Sequence, residues 1–241
     1  MLLEICANSY RSAIHAENAG ANRIELCSEL AIGGITPSFG LLKKATDTLK
    51  IPVFVLIRPR SGNFTYSEDE FDIMKNDILQ CKAMGCSGIV SGVLNEDNTI
   101  DMERTQALIQ LAKPLPFTFH RAFDWVKNPL KAIDELTDLG ADRVLTSGQQ
   151  TSALKGIELL KQLNEKAKNK LTILPGGGIN AENVIEFKNA GFNEIHCSAS
   201  TLKQVIAAPK ISMNSHAFFD ERIVAFSDPE KISKIVKAIK Q

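Results

Sequence analysis

Short apolar runs alternate with helical patterns along most of the chain. Apolar residues recur at helical spacing between the runs, as with Phe71, Met74 and Ile78. Alternation of strand and helix through eight units predicts a (β/α)8 TIM barrel over residues 1–200. A doubly wound open sheet is the alternative, but no G-x-G-x-x-G motif follows the first run. The eight predicted strands are Leu2–Cys6, Arg23–Cys27, Pro52–Ile57, Gly88–Val93, Pro116–His120, Arg143–Thr146, Leu171–Leu174 and Glu194–Cys197.

Helix starts and ends carry local signals. Ser67 and Glu70 have the spacing of a capping box. At other helices a residue that favours the N-cap lies at or just before the predicted first residue of the helix. Four predicted helices end at a glycine, and the next strand begins about three residues later. These signals predict helices at Pro37–Leu49 (after the N-cap Thr36), Pro129–Leu139 (after Asn128), Ala153–Ala167 and Asn180–Ala190. The four glycines are Gly20, Gly85, Gly140 and Gly191.

Residues 201–241 form a C-terminal extension to this single-domain barrel. The segment Lys203–Arg222 has no clear pattern. After it, Asp228-Pro229 predicts the start of a last helix with one apolar face, which we expect to pack on the barrel.

Charge and composition narrow the function. The 241-residue chain has 28 basic and 28 acidic residues, and this zero balance argues against nucleic acid or an anionic membrane as the main partner. No run is long enough to span a bilayer, and the N-terminus lacks the pattern of a signal peptide. The five cysteines are an odd number, which favours reduced thiols over a disulfide framework. We therefore expect a cytoplasmic protein.

The first two predicted strands share an unusual pattern. Each has a glutamate and a cysteine two residues apart, Glu4 with Cys6 and Glu25 with Cys27. Residues two apart on a strand share a face, and neighbouring strands lie about 4.8 Å apart. Because the outer face of a barrel strand meets apolar helices, we expect all four side chains inside, with the two sulfurs close together and the carboxylates below them. The alternative is that the cysteines are buried small apolar residues.

Other polar residues end predicted strands, where the active sites of such barrels lie. We expect His120 or Glu25 to act as acid or base, and Arg58 to bind an anion. An inward carboxylate is costly without a partner, so Glu25 should contact Arg58 or His120. The alternatives are a structural ion pair, a satisfied core histidine, and a solvated basic loop around Arg58 and Arg60.

The loop after the seventh strand predicts an anion site. Gly177 and Gly178 let backbone amides approach an anion closely, and Ser198 follows the neighbouring eighth strand. Such barrels often bind phosphate at these two loops, and Arg60 is a further candidate for anion binding. The alternative is a tight turn that requires glycine.

Several of these motifs resemble the CutC copper-homeostasis family. The resemblance covers about residues 1–200, and it implies a cytoplasmic (β/α)8 barrel with a role in copper handling. It also implies that Cys6 and Cys27 are the Cu(I) ligands. The matching stretches are residues 4–6, 23–27, 33–38, 54–60, 118–124, 143–148, 175–179 and 196–199.

Three functions stay open at this point. The first is a Cu(I)-binding homeostasis protein, since thiolates suit Cu(I). The second is an enzyme acting on a small phosphorylated or carboxylated metabolite, because copper carriage alone does not need Glu25, His120 and a glycine loop at one mouth. The third is a catalytically inert scaffold that binds a partner. Either a monomer or a homo-oligomer is compatible with each function.

Overall fold

Eight parallel strands form the centre of the protein in this computed structural model, which describes residues 1–168, 170–213 and 220–240. The strands hydrogen-bond in the order β7-β6-β5-β4-β3-β2-β1-β8. A parallel bridge between Gly176 and His196 brings β7 to β8 and closes the barrel. The predicted (β/α)8 barrel is thus confirmed. The strands are β1 (Leu2–Ala7), β2 (Arg23–Leu26), β3 (Val53–Leu56), β4 (Gly88–Ser91), β5 (Phe117–Phe119), β6 (Arg143–Thr146), β7 (Thr172–Pro175) and β8 (Glu194–Cys197).

Helices cover the outer face of the strands. Outward strand residues such as Ile24, Val55 and Ile89 are fully buried with the inner faces of the helices in one large core, as expected of a parallel sheet covered on its outer face. The helices are α1 (Tyr10–Asn18), α2 (Phe39–Thr48), α3 (Glu68–Ala83), α4 (Met102–Ala112), α5 (Pro129–Leu139), α6 (Ile157–Ala167), α7 (Val184–Asn189) and α8 (Pro229–Lys240). Short 3₁₀ helices lie at Leu30–Ile32 and Arg121–Trp125.

The predicted helix signals are confirmed in part. The Ser67–Glu70 capping box is present, and the Asn128 side chain accepts a hydrogen bond from the Lys131 amide at 3.1 Å. The four glycines that follow helices all have positive φ. They are Gly20, Gly85, Gly140 and Gly191.

Three helices begin later than predicted. Ser38, not Thr36, caps α2, because the Thr36 hydroxyl is bound to the backbone of Arg58. Asn180 accepts hydrogen bonds from the amides of Glu182 and Asn183 at 2.9 and 3.2 Å, and this local turn delays α7 until Val184. The helix predicted from Ala153 begins at Ile157 after a turn.

The C-terminal extension contains a feature that the sequence pattern missed. Strands β9 (Ser200–Gln204) and β10 (Ile223–Ser227) form an antiparallel pair at the two ends of the segment Lys203–Arg222, for which the sequence gave no clear pattern. Residues 214–219 of this segment lie outside the described part. Asp228 then caps α8, whose Ile232 and Ile235 are buried in the barrel core. The division into a barrel and an extension within one domain stays a prediction. Among the described residues, no helix has the length and apolar character needed to cross a membrane.

Candidate functional site

The register of the first two strands sets the interior of the barrel. Glu4 pairs with Arg23 across β1 and β2, and Cys6 pairs with Glu25. These four side chains and Cys27 are all buried. Because side chains alternate between the two faces of a strand, two carboxylates, two thiols and a guanidinium lie close together in the barrel interior.

The two thiols lie together, as predicted. The Cys6 and Cys27 sulfurs are 3.6 Å apart, in a buried cluster with Phe54, Leu56 and Val90. The Cys6 Sγ is also 3.8 Å from Glu25 Oε1. The hydrogen bond to Cys27 and the burial together raise the pKa of Cys6 well above its usual value. Cys6 is therefore a thiol, not a thiolate, in the metal-free protein at neutral pH.

Glu4 is fully paired inside the barrel. Its Oε2 lies 2.5 Å from Arg23 Nε, and its Oε1 lies 2.7 Å from His196 Nδ1. Arg23 also binds Glu194 at 2.6 Å. Burial opposes ionisation of Glu4, but His196 and Arg23 outweigh it and lower the pKa of Glu4 to about 2. Glu4 is therefore a permanent negative charge beneath the thiols.

Glu25 lies near a different partner from the one predicted. It forms no hydrogen bond or ion pair with Arg58 or His120, so that prediction is wrong; its Oε1 faces the Cys6 thiol instead. Its Oε2 is buried and has no hydrogen-bond partner among the described residues. Burial raises the pKa of Glu25 to about 7, with a partial offset from His196. A carboxyl group that titrates near neutrality is suited to proton transfer.

His196 connects the paired glutamate to the thiol. Burial alone would lower its pKa, but the charges of Glu25 and Glu4 and hydrogen bonding to Cys6 and Glu4 raise it well above the usual value. Ligand atoms of Cys6, Glu25 and His196 all lie within 4.8 Å of one another. The three side chains are thus close enough to share one metal ion.

His120 is neutral. Its Nδ1 accepts a hydrogen bond from the Ala122 amide at 3.3 Å, so the proton lies on Nε2. That Nε2 is buried and has no partner among the described residues. Burial and the positive charge of Arg58 lower the pKa of His120 to about 3. His120 is therefore a poor base, but its Nε2–H can donate to a bound ligand.

The two arginines predicted for anion binding are held by other groups. Arg58 donates to the carbonyl oxygens of Ile32, Gly34 and Gly62 at 2.8–2.9 Å. It lines a cavity at the mouth of the barrel, but most of its N–H donors bind backbone carbonyl oxygens. Arg60 pairs with Glu70 at 2.5 Å and is not among the residues that line the cavity. The structure thus brings Arg58 to the mouth and does not bring Arg60 there.

A cavity of about 1160 Å³ opens at the C-terminal ends of the strands, and we refer to it as the mouth cavity. Of the predicted residues it is lined by Cys6, Glu25, Arg58, His120, Gly177, Gly178 and Ser198. Its wall also includes Arg121 and Asp124, which were not predicted as site residues from the sequence. Their signal was the three-residue spacing of opposite charges directly after His120. The last helix, α8, contributes Lys231 and Lys234 to the same wall.

Fold and site together define a (β/α)8 barrel whose mouth holds thiols, carboxylates and imidazoles. Comparison with known proteins specifies it further. The chain belongs to the CutC family, whose model matches residues 1–201. The human protein named copper homeostasis protein cutC homolog is 48% identical over 203 residues, covering 84% of this chain and 74% of its own.

Two other similarities extend the comparison. A family protein CutC of Glaesserella parasuis is 39% identical over 240 residues and covers 99% of both chains, including the C-terminal extension. The crystal structure of a CutC protein from Streptococcus agalactiae superposes with a TM-score of 0.78 at 37% identity, covering 82% of this chain and 98% of that one. The extension is thus shared with at least one relative.

Proposed function

We propose that this protein binds Cu(I) through the Cys6 and Cys27 thiolates and acts in copper homeostasis. The observation that carries the proposal is the 3.6 Å separation of the two sulfurs at the mouth of the barrel. Thiolates are soft ligands that favour Cu(I) over harder divalent ions. The name of the human relative supports the same role. The ion is cargo in this proposal, not a catalytic cofactor.

The surroundings of the two sulfurs suit a third ligand. The two sulfurs are 3.6 Å apart, and a metal–thiolate bond is longer than half of that distance, at about 2.3 Å for zinc. An ion bound to both sulfurs would therefore lie to one side of the line that joins them, where a third ligand could reach it. His196 offers a ring nitrogen within 4.8 Å of the Cys6 sulfur, and its Nδ1 is bound to Glu4. A carboxylate on the second ring nitrogen is the usual support for a metal-binding histidine. Both Cys6 and His196 must lose a proton, so binding should release protons.

The state of the cysteines also fits this role. All five are free and buried. Free thiols persist in reducing compartments, so we expect the protein to act in the cytoplasm.

A Cu(I) competition assay with a colorimetric chelator tests the proposal. The double variant Cys6→Ser/Cys27→Ser should lose Cu(I) to the chelator at concentrations where the wild type retains it. Cys81→Ser is the matched control, because Cys81 is equally buried but lies on α3 in the outer layer. Retention by the double variant equal to that of the wild type would rule these ligands out.

A second function is favoured by two orphaned polar atoms. Glu25 Oε2 and His120 Nε2 are both buried without a partner among the described residues, and both residues line the mouth cavity. Buried polar groups normally have partners, and exceptions require an explanation. We infer a proton-transfer site for a small anionic metabolite, with Glu25 as the acid or base and His120 as a neutral donor.

Solvent exchange tests this second function. Wild-type protein is incubated in D₂O with a panel of small phosphorylated and carboxylated metabolites, and deuterium uptake is followed by mass spectrometry. At least one metabolite should exchange, and Glu25→Gln should abolish the exchange. Absence of exchange across the panel, or exchange that persists in Glu25→Gln, would contradict it.

A further inference from the structure

Arg121 is held in a fixed position on the wall of the mouth cavity. Its Nε donates to Asp124 Oδ2 at 2.8 Å, and its Nη2 donates to the Ser147 hydroxyl at 2.8 Å. Its Nη1 has no acceptor among the described residues. The side chain is 47% exposed, so that nitrogen is available to a ligand in the cavity. An arginine with one occupied edge is pre-organised to use the other edge.

Asp124 holds Arg121 without leaving an unpaired carboxylate. Its Oδ1 accepts from the Thr146 hydroxyl at 2.6 Å and from the Ser147 amide at 3.0 Å. Its Oδ2 accepts from Arg121 at 2.8 Å and from the Ser147 amide at 3.2 Å. These bonds tie the loop after β5 to the loop after β6. Asp124 therefore orients Arg121 while its own acceptor sites are used by protein donors.

The 177–178 loop lies beside this arginine. A Cβ atom on Gly177 would be 3.7 Å from Arg121 Nη1, and Gly177 has a φ of +109°, which L side chains rarely adopt. The Gly178 amide has no acceptor among the described residues. The hydroxyl of Ser198, on the neighbouring loop, lies 3.2 Å from that of Ser200. Because a hydroxyl both donates and accepts, Ser198 can accept from Ser200 and direct its own proton to a ligand. An oxyanion between these loops could thus accept from a guanidinium, an amide and a hydroxyl.

Charges on the cavity wall also favour an anion. Lys231 and Lys234 of α8 line the cavity, and neither forms an ion pair with a described residue. Of the acidic residues on the wall, Asp124 is paired with Arg121, Glu25 is buried beside Cys6, and Glu182 is exposed on the rim. The wall of the mouth cavity therefore has two lysines that no ion pair with a described residue neutralises.

We propose that Arg121, the 177–178 loop and Ser198 form the oxyanion subsite for a small metabolite that bears a phosphate or a carboxylate. The subsite deepens the second function proposed above and rests on the same cavity. The deeply buried Nε2 of His120 and Oε2 of Glu25, on residues each only 4% exposed, would meet the other end of the metabolite. Copper binding does not require this subsite.

Tryptophan fluorescence provides a native probe. The only tryptophan, Trp125, lines the mouth cavity and is half-exposed one residue after Asp124. Inorganic phosphate and acetate are titrated separately, with chloride at matched ionic strength as the reference. At least one of the two should change the emission saturably, and the stronger ligand identifies the class of oxyanion. Arg121→Gln should weaken its binding by about tenfold or more, as expected for a lost charge-assisted hydrogen bond.

Matched variants keep the result interpretable. Arg121→Lys should recover part of the affinity, whereas Lys127→Gln should match the wild type, because Lys127 is exposed and faces Asp97 outside the cavity. Circular dichroism confirms that each variant is folded. Binding by Arg121→Gln equal to the wild type, or no response to either anion, overturns the proposal.

The outcome is separable from the other two functions. Arg121→Gln should retain Cu(I), and Cys6→Ser/Cys27→Ser should retain the anion. Anion binding without any deuterium exchange would contradict the proton-transfer function and leave the oxyanion subsite supported.

Discussion

Glu4 and His196 join the first and last strands of the barrel through a 2.7 Å hydrogen bond between Oε1 and Nδ1. The two residues are 192 positions apart in the chain and face each other across the β1–β8 register. Because Glu4 also binds Arg23 of β2, one carboxylate connects three strands at the closure of the barrel. The pair also fixes the ring of His196 next to Cys6, so closure of the fold and geometry of the candidate metal site are linked.

Glu4→Gln should destabilise the fold by about 3–5 kcal/mol, the usual cost of removing one partner of a buried ion pair. The amide cannot compensate the charges of Arg23 and His196. Urea unfolding at pH 7 measures the loss. Asp47→Asn is the control, because Asp47 forms an exposed pair with Lys43 and should change stability by less than about 1 kcal/mol. A loss of the same size in both variants would contradict the structural role of Glu4.

Much of the barrel was predictable because its signals are local. Strand length, helix periodicity and capping residues depend on neighbours in sequence, and the two-residue spacing of Glu and Cys gave the inward cluster directly. The Glu4–His196 pair was not predictable in this way. It requires the closure of β1 against β8 and the relative register of the two strands, which no local pattern contains.

The arginines show a second limit of the sequence. Arg58 follows a strand in a polar loop, which is also the pattern of an anion-binding residue. In the structure its two terminal nitrogens donate to carbonyl oxygens of two loops, and backbone acceptors leave no trace in the sequence. Arg121 was available through its spacing from Asp124, but the same spacing is common on solvated surfaces.

Arg58→Lys should loosen the loops around the mouth cavity. A guanidinium reaches Ile32, Gly34 and Gly62 at once, whereas an ammonium group is a compact point charge without that planar geometry. We expect faster amide hydrogen exchange at Gly34, whose amide is bonded to Glu29 within the same loop. Exchange in α4, remote from the mouth, is the internal reference. Unchanged exchange at Gly34 would show that the loop is held by other contacts.

His196→Gln tests the third ligand for Cu(I). If His196 supplies a nitrogen ligand, Cu(I) affinity should fall by about tenfold or more, while the two thiols still bind weakly. His120→Gln is the matched control, since His120 is an equally buried histidine of the same cavity without a described contact to either sulfur. Equal affinity for wild type and His196→Gln would indicate a site of two sulfurs alone.

Glu25→Gln should change how stability depends on pH. The pKa of Glu25 is about 7 in the folded protein against 4.5 for an ordinary glutamate, so the folded state keeps a proton that the unfolded chain has released. Its stabilising contribution is complete below pH 4.5 and is lost as pH rises to 7. As pH rises from 5 to 6.5, the free energy of unfolding of the wild type should therefore fall by on the order of 1–2 kcal/mol relative to that of Glu25→Gln.

The comparison between the two proteins reports on Glu25 together with His196, whose pKa the charge of Glu25 helps to raise. The pKa of His120 is lowered to about 3, which makes stability rise with pH in the same window, but this contribution is common to both and cancels. Urea unfolding at four pH values within the window gives the difference in slope. Glu182→Gln, on the exposed rim of the same cavity, should follow the wild type. Parallel curves for wild type and Glu25→Gln would show that Glu25 ionises normally in the fold, and the assignment of this carboxyl group as a neutral-pH acid or base would then fail.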